Sequence, residues 1–85
     1  HRVDLLMVAE GLDVFKVPVP EALAGKTLAE ADIRQRTNCS VIGIDANEKT
    51  TTNPSSDFRL PAEGEIVLIG TPESETEFLK LYPAP

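Results

Sequence analysis

The chain contains 85 residues, 41% of them hydrophobic and 26% charged, which is the composition of a globular protein and excludes disordered and fibrous classes. At roughly 100 to 200 residues per domain, this is one small domain, and its core is thin because such a chain buries only about 60 to 65% of its surface on folding. The 14 acidic and 8 basic residues give a net charge of -6, and the basic residues form no run, which argues against nucleic-acid or anionic-membrane partners.

The beginning of the chain has the pattern of a helix end. Residues 2–11 place apolar side chains at helical spacing, and Gly11 follows them as a left-handed helix terminator would. A helix at the first residue indicates continuation from an earlier part of a larger protein. The pattern predicts that residues 1–12 are the end of a linker helix from a preceding domain and that residues 13–85 form the domain itself.

The next segment predicts a strand followed by a short helix. Residues 14–19 alternate between the two sides of a strand, and two prolines near the end indicate an edge strand. Thr27 and Glu30 have the spacing of a capping box, in which each side chain accepts a hydrogen bond from the backbone N–H of the other residue. This predicts a helix that begins at Leu28 and ends at Asn38.

The second half of the chain predicts three strands and a final helix. Residues 40–45 are β-branched around Gly43, which indicates a bulge or a close backbone approach, and a hairpin connects them to residues 49–52. Residues 65–69 form an apolar run expected at the centre of the sheet, and a helix is expected after Thr71. The predicted fold is α+β: a small, mainly antiparallel sheet with two helices packed on it.

A phosphate-binding loop is the first chemical motif to consider. Residues 25–27 read Gly-Lys-Thr and precede a helix, as in such loops. The loop also needs a glycine five residues before Gly25, and that position is Pro20, which has no N–H to donate to a phosphate. We therefore expect no nucleotide hydrolysis here.

The cysteine and the acidic residues are explained by structural roles and need no catalytic or metal-binding role. Cys39 is the single cysteine and His1 the single histidine, so neither a disulfide, a cysteine–histidine pair nor a metal cage is expected. Cys39 is interpreted as a small core residue in a reducing compartment. The acidic residues near the predicted helix starts are interpreted as solvated groups that complement the helix dipole. The apolar runs are shorter than the ~20 residues of a membrane helix, and no signal peptide is recognisable.

Arg34 and Arg36 form, with Asp32, the remaining polar cluster. Arginines two positions apart on a helix face different directions. One of them can pair with Asp32 while the other meets an anionic ligand or a partner chain, and a solvated surface role is the alternative.

A series of short motifs runs along almost the whole chain. In order, they are Val17-Pro18-Val19-Pro20, Leu23-Ala24-Gly25-Lys26-Thr27-Leu28, Ile33-Arg34-x-Arg36-Thr37, Ser40-Val41-Ile42-Gly43-Ile44, Asn53-Pro54, Asp57-x-x-Leu60 and Gly64-Glu65-Ile66-Val67-Leu68-Ile69-Gly70-Thr71. With these motifs the chain resembles the C-terminal domain of RCK or TrkA-type regulators of potassium channels and transporters, called TrkA-C.

The resemblance implies a non-catalytic cytoplasmic module. Such a module follows a Rossmann-type subdomain, pairs with a second copy of itself and biases the gate of a membrane channel or transporter in bacteria or archaea. Some members bind cyclic di-AMP between two copies through an Asp-x-Arg pair and an asparagine six residues after the arginine. Asp32-x-Arg34 matches this pattern, whereas the sixth position is Ser40.

The expected ligand-binding residues are therefore Asp32, Arg34 and Ser40. The expected ligand is cyclic di-AMP or another anion, with no metal and no cofactor in this domain. The homodimer is expected to bury apolar surface around the strand at residues 14–19 and the helix at Leu28.

The alternative function is a ligand-free structural dimerisation module of another transporter, such as a carboxylate exchanger, and an enzyme is the least supported hypothesis. A thermal-shift ligand screen separates the first two, because a ligand that binds only the folded state raises the unfolding midpoint.

Overall fold

A single antiparallel sheet organises the chain, and the computed structural model describes residues 3–83 of it. The elements in chain order are β1 (Asp4–Ala9), β2 (Leu12–Pro18), a 3-10 helix (Glu21–Leu23), α1 (Leu28–Ala31), α2 (Ile33–Thr37), β3 (Ser40–Ala46), β4 (Lys49–Thr52), β5 (Glu65–Gly70) and α3 (Pro72–Leu81). The strand order is β1-β2-β5-β3-β4. The α+β class and the central position of β5 are as predicted.

The predicted helix at the start of the chain is wrong for the described residues. Asp4–Ala9 form β1, which pairs antiparallel with β2 from Asp4 opposite Lys16 to Ala9 opposite Leu12. Gly11, at φ 78, closes the tight turn between the strands, and a left-handed glycine suits such a turn as well as a helix end. His1 and Arg2 lie outside the described residues. The division of the protein into a preceding domain and this one stays a prediction.

The prediction that residues 14–19 form an edge strand is also wrong. β2 lies between β1 and β5. Pro18 is its last residue and pairs with Glu65 of β5, whereas the pairing with β1 begins at Lys16. Because Pro18 lies beyond the end of the β1 pairing, its missing N–H removes no hydrogen bond from that side of β2.

The core lies between the sheet and the helices. Phe15 and Val17 of β2 and Ile66 and Leu68 of β5 are buried on the same face of the sheet. Phe78 of α3 is also fully buried and packs against Phe15 edge to face, with ring centroids 6.0 Å apart. Each large buried side chain stabilises the fold by about 1.5–3 kcal/mol, so these contacts fix α3 on the sheet.

The predicted helix from Leu28 to Asn38 begins and ends as predicted but is interrupted. Both capping-box hydrogen bonds form: Thr27 N donates to Glu30 Oε1 at 2.9 Å, and Glu30 N donates to Thr27 Oγ1 at 3.1 Å. Asp32 then adopts a left-handed conformation, φ 51 and ψ 41, and separates α1 from α2. Asn38 ends α2 in the same region at φ 64. The spacing of apolar residues does not distinguish one continuous helix from two short helices that are separated by a left-handed residue.

The hairpin and the bulge around β3 are confirmed. Asn47 and Glu48 have positive φ angles of 53 and 60, as a two-residue turn between antiparallel strands requires. The register between β3 and β5 shifts between Val41 and Gly43, which makes Ile42 the extra residue of a bulge directly before the expected glycine. Within residues 3–83, no helix is long and apolar enough to cross a membrane.

Candidate ligand-binding site

An open cleft of about 430 Å³ lies where the two short helices meet the start of β3 and the loop after β4. Leu28 and Ile33 line it from the helices, Val41 from β3 and Pro54 from the loop. Ile33 is buried in the core, and Leu28 and Val41 pack against that core. The apolar wall of the cleft is therefore held by the hydrophobic core.

The polar part of the cleft contains two of the three predicted ligand contacts. Arg34 of α2 and Ser40, the first residue of β3, both line it, together with Asn53 and Ser56. Arg34 is exposed, and among the described residues its guanidinium has neither an ion-pair partner nor a side-chain hydrogen bond. A free guanidinium can make two parallel hydrogen bonds to one phosphate or carboxylate.

Asp32 does not line this cleft. It is the exposed residue that links α1 to α2, and its carbonyl accepts a hydrogen bond from Arg36 N at 3.1 Å. Within the described part of the chain Asp32 makes no ion pair with Arg34 or Arg36. Arg34 and Ser40 therefore line the same cleft, whereas Asp32 lies at the junction between α1 and α2.

Asn53, like Ser56, is a polar cleft residue that sequence reasoning did not identify as a ligand contact. It adopts a left-handed conformation, φ 47, directly after β4, and its N–H donates to the carbonyl of Ile42 at 3.0 Å. In the sequence, only the place of Asn53-Pro54 in the motif series could have pointed to a role for Asn53 in this cleft. Their position beside Arg34 depends on the β3–β4 hairpin, which returns the chain to the start of β3.

Cys39 contributes to the wall of the cleft as a packing residue. It is fully buried, and its N–H donates to Thr37 Oγ1 at 3.2 Å. Burial raises the pKa of the Cys39 thiol, against the opposing effect of a hydrogen bond from Thr37. A thiol in such surroundings stays protonated near neutral pH and is a weak nucleophile. The interpretation of Cys39 as a core residue is confirmed.

The backbone around Gly25, Lys26 and Thr27 has no donor left for a phosphate. Every backbone N–H from residue 25 to residue 30 donates a hydrogen bond within the chain. The acceptors are the carbonyls of Leu60, Leu23, Phe58 and Ser56 and the side chains of Glu30 and Thr27. The backbone hydrogen bond from Thr27 lowers the pKa of Glu30 and so keeps its carboxylate ionised for this cap. This geometry supports the expectation that the segment binds no ATP.

A second cleft of about 430 Å³ has different chemistry. It lies between the 3-10 helix and the end of α3, with Val19, Ala22 and Leu81 among its mostly apolar lining, and its charged residue is Glu21. A carboxylate disfavours an anionic ligand. Within residues 3–83 the structure contains no group of three or more His, Cys, Asp or Glu residues able to hold a metal ion. Of these two clefts, the one at Arg34 is therefore the candidate site for an anion.

Comparison with known families identifies the domain. The family model of the TrkA-C domain matches residues 14–82. The chain therefore belongs to the TrkA-C domain family.

Solved structures with this fold include domains of GsuK, KtrA and BusR. The GsuK RCK domain is 38% identical and covers 84% of this chain at a TM-score of 0.78, and the match spans only 16% of the GsuK chain. The RCK C domain of the potassium transport protein KtrA, in complex with cyclic diadenosine monophosphate, is 20% identical over 86% of each chain, with a TM-score of 0.78. The RCK_C domain dimer of BusR from S. agalactiae, in complex with c-di-AMP, is 15% identical over 81% of this chain and 93% of that chain, with a TM-score of 0.72.

These comparisons confirm the fold and the resemblance noted in the sequence. The GsuK RCK domain also occurs in structures of the GsuK channel, one of them bound to NAD. The KtrA and BusR domains are too different in sequence to establish more than a common fold. A domain 38% identical to this chain thus occurs in the GsuK channel, which agrees with the regulatory class expected from the motifs.

Proposed function

We propose that this TrkA-C domain is a non-catalytic cytoplasmic regulatory domain of a potassium channel or transporter, and that it senses an anionic ligand in the cleft at Arg34. In this proposal two copies form a homodimer with the ligand at their two-fold axis, and a Rossmann-type subdomain precedes each copy. The observation that carries the proposal is the guanidinium of Arg34, which has no ion-pair partner among residues 3–83 and lines the same cleft as Ser40 and an apolar wall.

Local electrostatics decide whether an anion can bind. The net charge of -6 repels anions at long range. At about 0.1 M salt this repulsion is screened beyond roughly 10 Å, whereas a direct contact with Arg34 is not. Two copies of Arg34 at a two-fold axis would match the symmetry of a cyclic dinucleotide, whose two phosphates need two cations.

The cleft also suits the other parts of a dinucleotide. Leu28 and Pro54 provide apolar surface against which a base can pack, and Ser40 and Asn53 provide hydrogen-bonding groups at the same opening. Ser40 has one hydroxyl and Asn53 has an amide that both donates and accepts. The structures of the KtrA and BusR domains with cyclic di-AMP support this ligand as the first one to test.

Calorimetric titration of the 85-residue chain with cyclic di-AMP tests the proposal, alongside linear dinucleotides and mononucleotides. Arg34→Lys should weaken binding at least about tenfold, because a lysine keeps the charge but loses the paired hydrogen bonds. Arg36→Lys is the matched control, since Arg36 is on the same helix but does not line the cleft. It should change binding less than about threefold.

Two results would contradict the proposal. Absence of heat with every nucleotide would favour the ligand-free dimerisation module. Equal effects of Arg34→Lys and Arg36→Lys would show that binding depends on general charge and not on the cleft. Circular dichroism of both variants verifies that neither change affects the fold.

A further inference from the structure

The second cleft, between the 3-10 helix and the C-terminal end of α3, has no role in the anion site at Arg34. Its volume of about 430 Å³ is within the range of about 300–1,000 Å³ that is typical of ligand pockets. Ala22 and Ala62 line it and are exposed, and Leu81 lines it with 47% of its surface exposed. The cleft therefore presents apolar surface to solvent, and a ligand that covers this surface gains free energy by burying it.

Tyr82 is the aromatic residue in the wall of this cleft. Its ring centroid lies 5.1 Å from that of Phe78, and Phe78 is fully buried in the core. This contact fixes the Tyr82 ring beside the apolar surface. The face of an aromatic ring carries partial negative charge and attracts a cation such as an ammonium group.

The charged groups at the cleft also favour a cation. Glu21 is the one charged residue of its lining, and no basic residue lines it. Among residues 3–83, Glu21 makes no ion pair and is therefore available to a ligand. Lys80 precedes the residues of α3 that line the cleft, but it forms an ion pair with Glu77, with Nζ and Oε1 3.6 Å apart.

The C-terminal end of α3 adds a partial negative charge at the same place. The last carbonyl groups of a helix have no intrahelical partner. Pro83 has no N–H, so the Leu79 carbonyl cannot accept the usual hydrogen bond from the residue four positions later. A helix end of this kind carries about half a negative elementary charge and favours cations. The helix end, the Glu21 carboxylate and the Tyr82 ring thus act in the same direction.

We propose that the second cleft binds a small ammonium ion with an apolar body, such as an arylalkyl amine. The apolar body covers Ala22, Ala62 and Leu81, and the ammonium group interacts with Glu21 and Tyr82. The net charge of -6 attracts such a ligand at long range, whereas it repels the anion expected at Arg34. This site is independent of the anion site and goes beyond the regulatory function proposed above.

Three probes with one apolar group and different charges test this inference. Phenethylamine, phenethyl alcohol and hydrocinnamate share a phenylethyl group and are cationic, neutral and anionic. In NMR titrations of the 85-residue chain, the amine should shift the backbone amide signals of Ala22, Ala62 and Tyr82. It should bind at least about threefold more tightly than the alcohol, and hydrocinnamate should bind most weakly. An amine that binds no more tightly than hydrocinnamate, or that shifts only signals at Arg34, would overturn the proposal.

Substitutions at the cleft test the assigned residues. Glu21→Gln should weaken binding of the amine about threefold and leave binding of the alcohol unchanged, because only the amine is charged. Tyr82→Leu keeps the apolar surface and should also weaken the amine more than the alcohol. Glu73→Gln is the matched control, since it removes the same charge from an exposed residue about 12 Å along α3 from Leu81. It should change binding less than about 1.5-fold because of salt screening.

Arg34→Lys should leave binding of the amine unchanged, so that failure of the anion site and failure of this site give different results. Equal effects of Glu21→Gln and Glu73→Gln would show that binding depends on net charge alone and would contradict the proposal. Equal loss of the amine and the alcohol in Glu21→Gln would also contradict it, because Glu21 would then have only a structural role in the 3-10 helix.

Discussion

Left-handed backbone conformations mark the residues at which the chain changes direction. Gly64 precedes the central strand at φ 138, a conformation open only to glycine at little cost. A Cβ at this position would lie 2.7 Å from the carbonyl oxygen of Asp45, on the neighbouring strand. Its own carbonyl accepts a hydrogen bond from Val19 N at 3.0 Å. Gly64 thus joins β2, β3 and β5 at one end of the sheet.

Gly64→Ala should lower the free energy of unfolding by about 2–4 kcal/mol, the sum of backbone strain and the clash with Asp45. Gly25→Ala is the matched control, because Gly25 has φ +84 but a Cβ added there would have no other atom within 4 Å. That change should cost only about 1 kcal/mol. Urea unfolding of both variants measures the two values. If both variants lose the same free energy of unfolding, the clash with Asp45 does not contribute to the destabilisation.

The break between α1 and α2 is the feature of the helical region that determines the site. Asp32 ends α1 and starts α2 without a side-chain cap, so its role in the fold lies in its left-handed backbone. Asp and Asn adopt this conformation more readily than other residues with side chains, and β-branched residues adopt it poorly. The redirected α2 then presents Arg34 to the cleft.

Asp32→Asn and Asp32→Val separate a structural role of Asp32 from ligand contact. Asn keeps the backbone preference and removes the charge, so we expect the unfolding free energy to change by less than about 0.5 kcal/mol and nucleotide binding to persist. Val should lower stability by about 1–2 kcal/mol and weaken binding through the displaced Arg34. If Asn abolishes binding while stability is unchanged, the Asp32 carboxylate contacts the ligand itself.

At the scale of the whole molecule, the thin core and the exposed apolar side chains favour self-association. Ile42, at the bulge of β3 beside the cleft, is 37% exposed, and Leu81, at the end of α3, is 47% exposed. We expect a two-fold axis at the cleft to bury Ile42 as well, because Ile42 directly follows Val41, which lines the cleft. It would leave Leu81 in solvent, because Leu81 lines the other cleft.

Light scattering should therefore give a dimer mass for the wild type at high micromolar concentration. Ile42→Glu should shift the mass to that of a monomer, because an unpaired charge buried in an interface is costly. Leu81→Glu introduces the same charge at a comparably exposed residue and should leave the dimer intact. A monomeric wild type, or a dimer disrupted by Leu81→Glu alone, would exclude a two-fold axis at the cleft.

The sequence alone determined the features that depend on neighbouring residues. The capping box of Thr27 and Glu30, the left-handed end of α2 at Asn38 and the N-cap at Thr71 were all predicted, because each is a hydrogen bond or backbone preference within four residues. The apolar run of β5 also predicted a central strand, and its alternate residues Ile66 and Leu68 are buried on the core face of the sheet. The motif series predicted the family.

Only the tertiary structure decided the features that depend on distant residues. The apolar residues before Gly11 fit a helix or a strand equally well, and pairing with β2 selects the strand. The two prolines predicted that β2 is an edge strand, but β1 pairs with it and is the edge strand instead. The cleft brings Arg34 and Ser40 together as expected and adds Asn53, which reaches them only because the β3–β4 hairpin folds back. Local propensities cannot encode such contacts, because their energy arises only once the sheet is assembled.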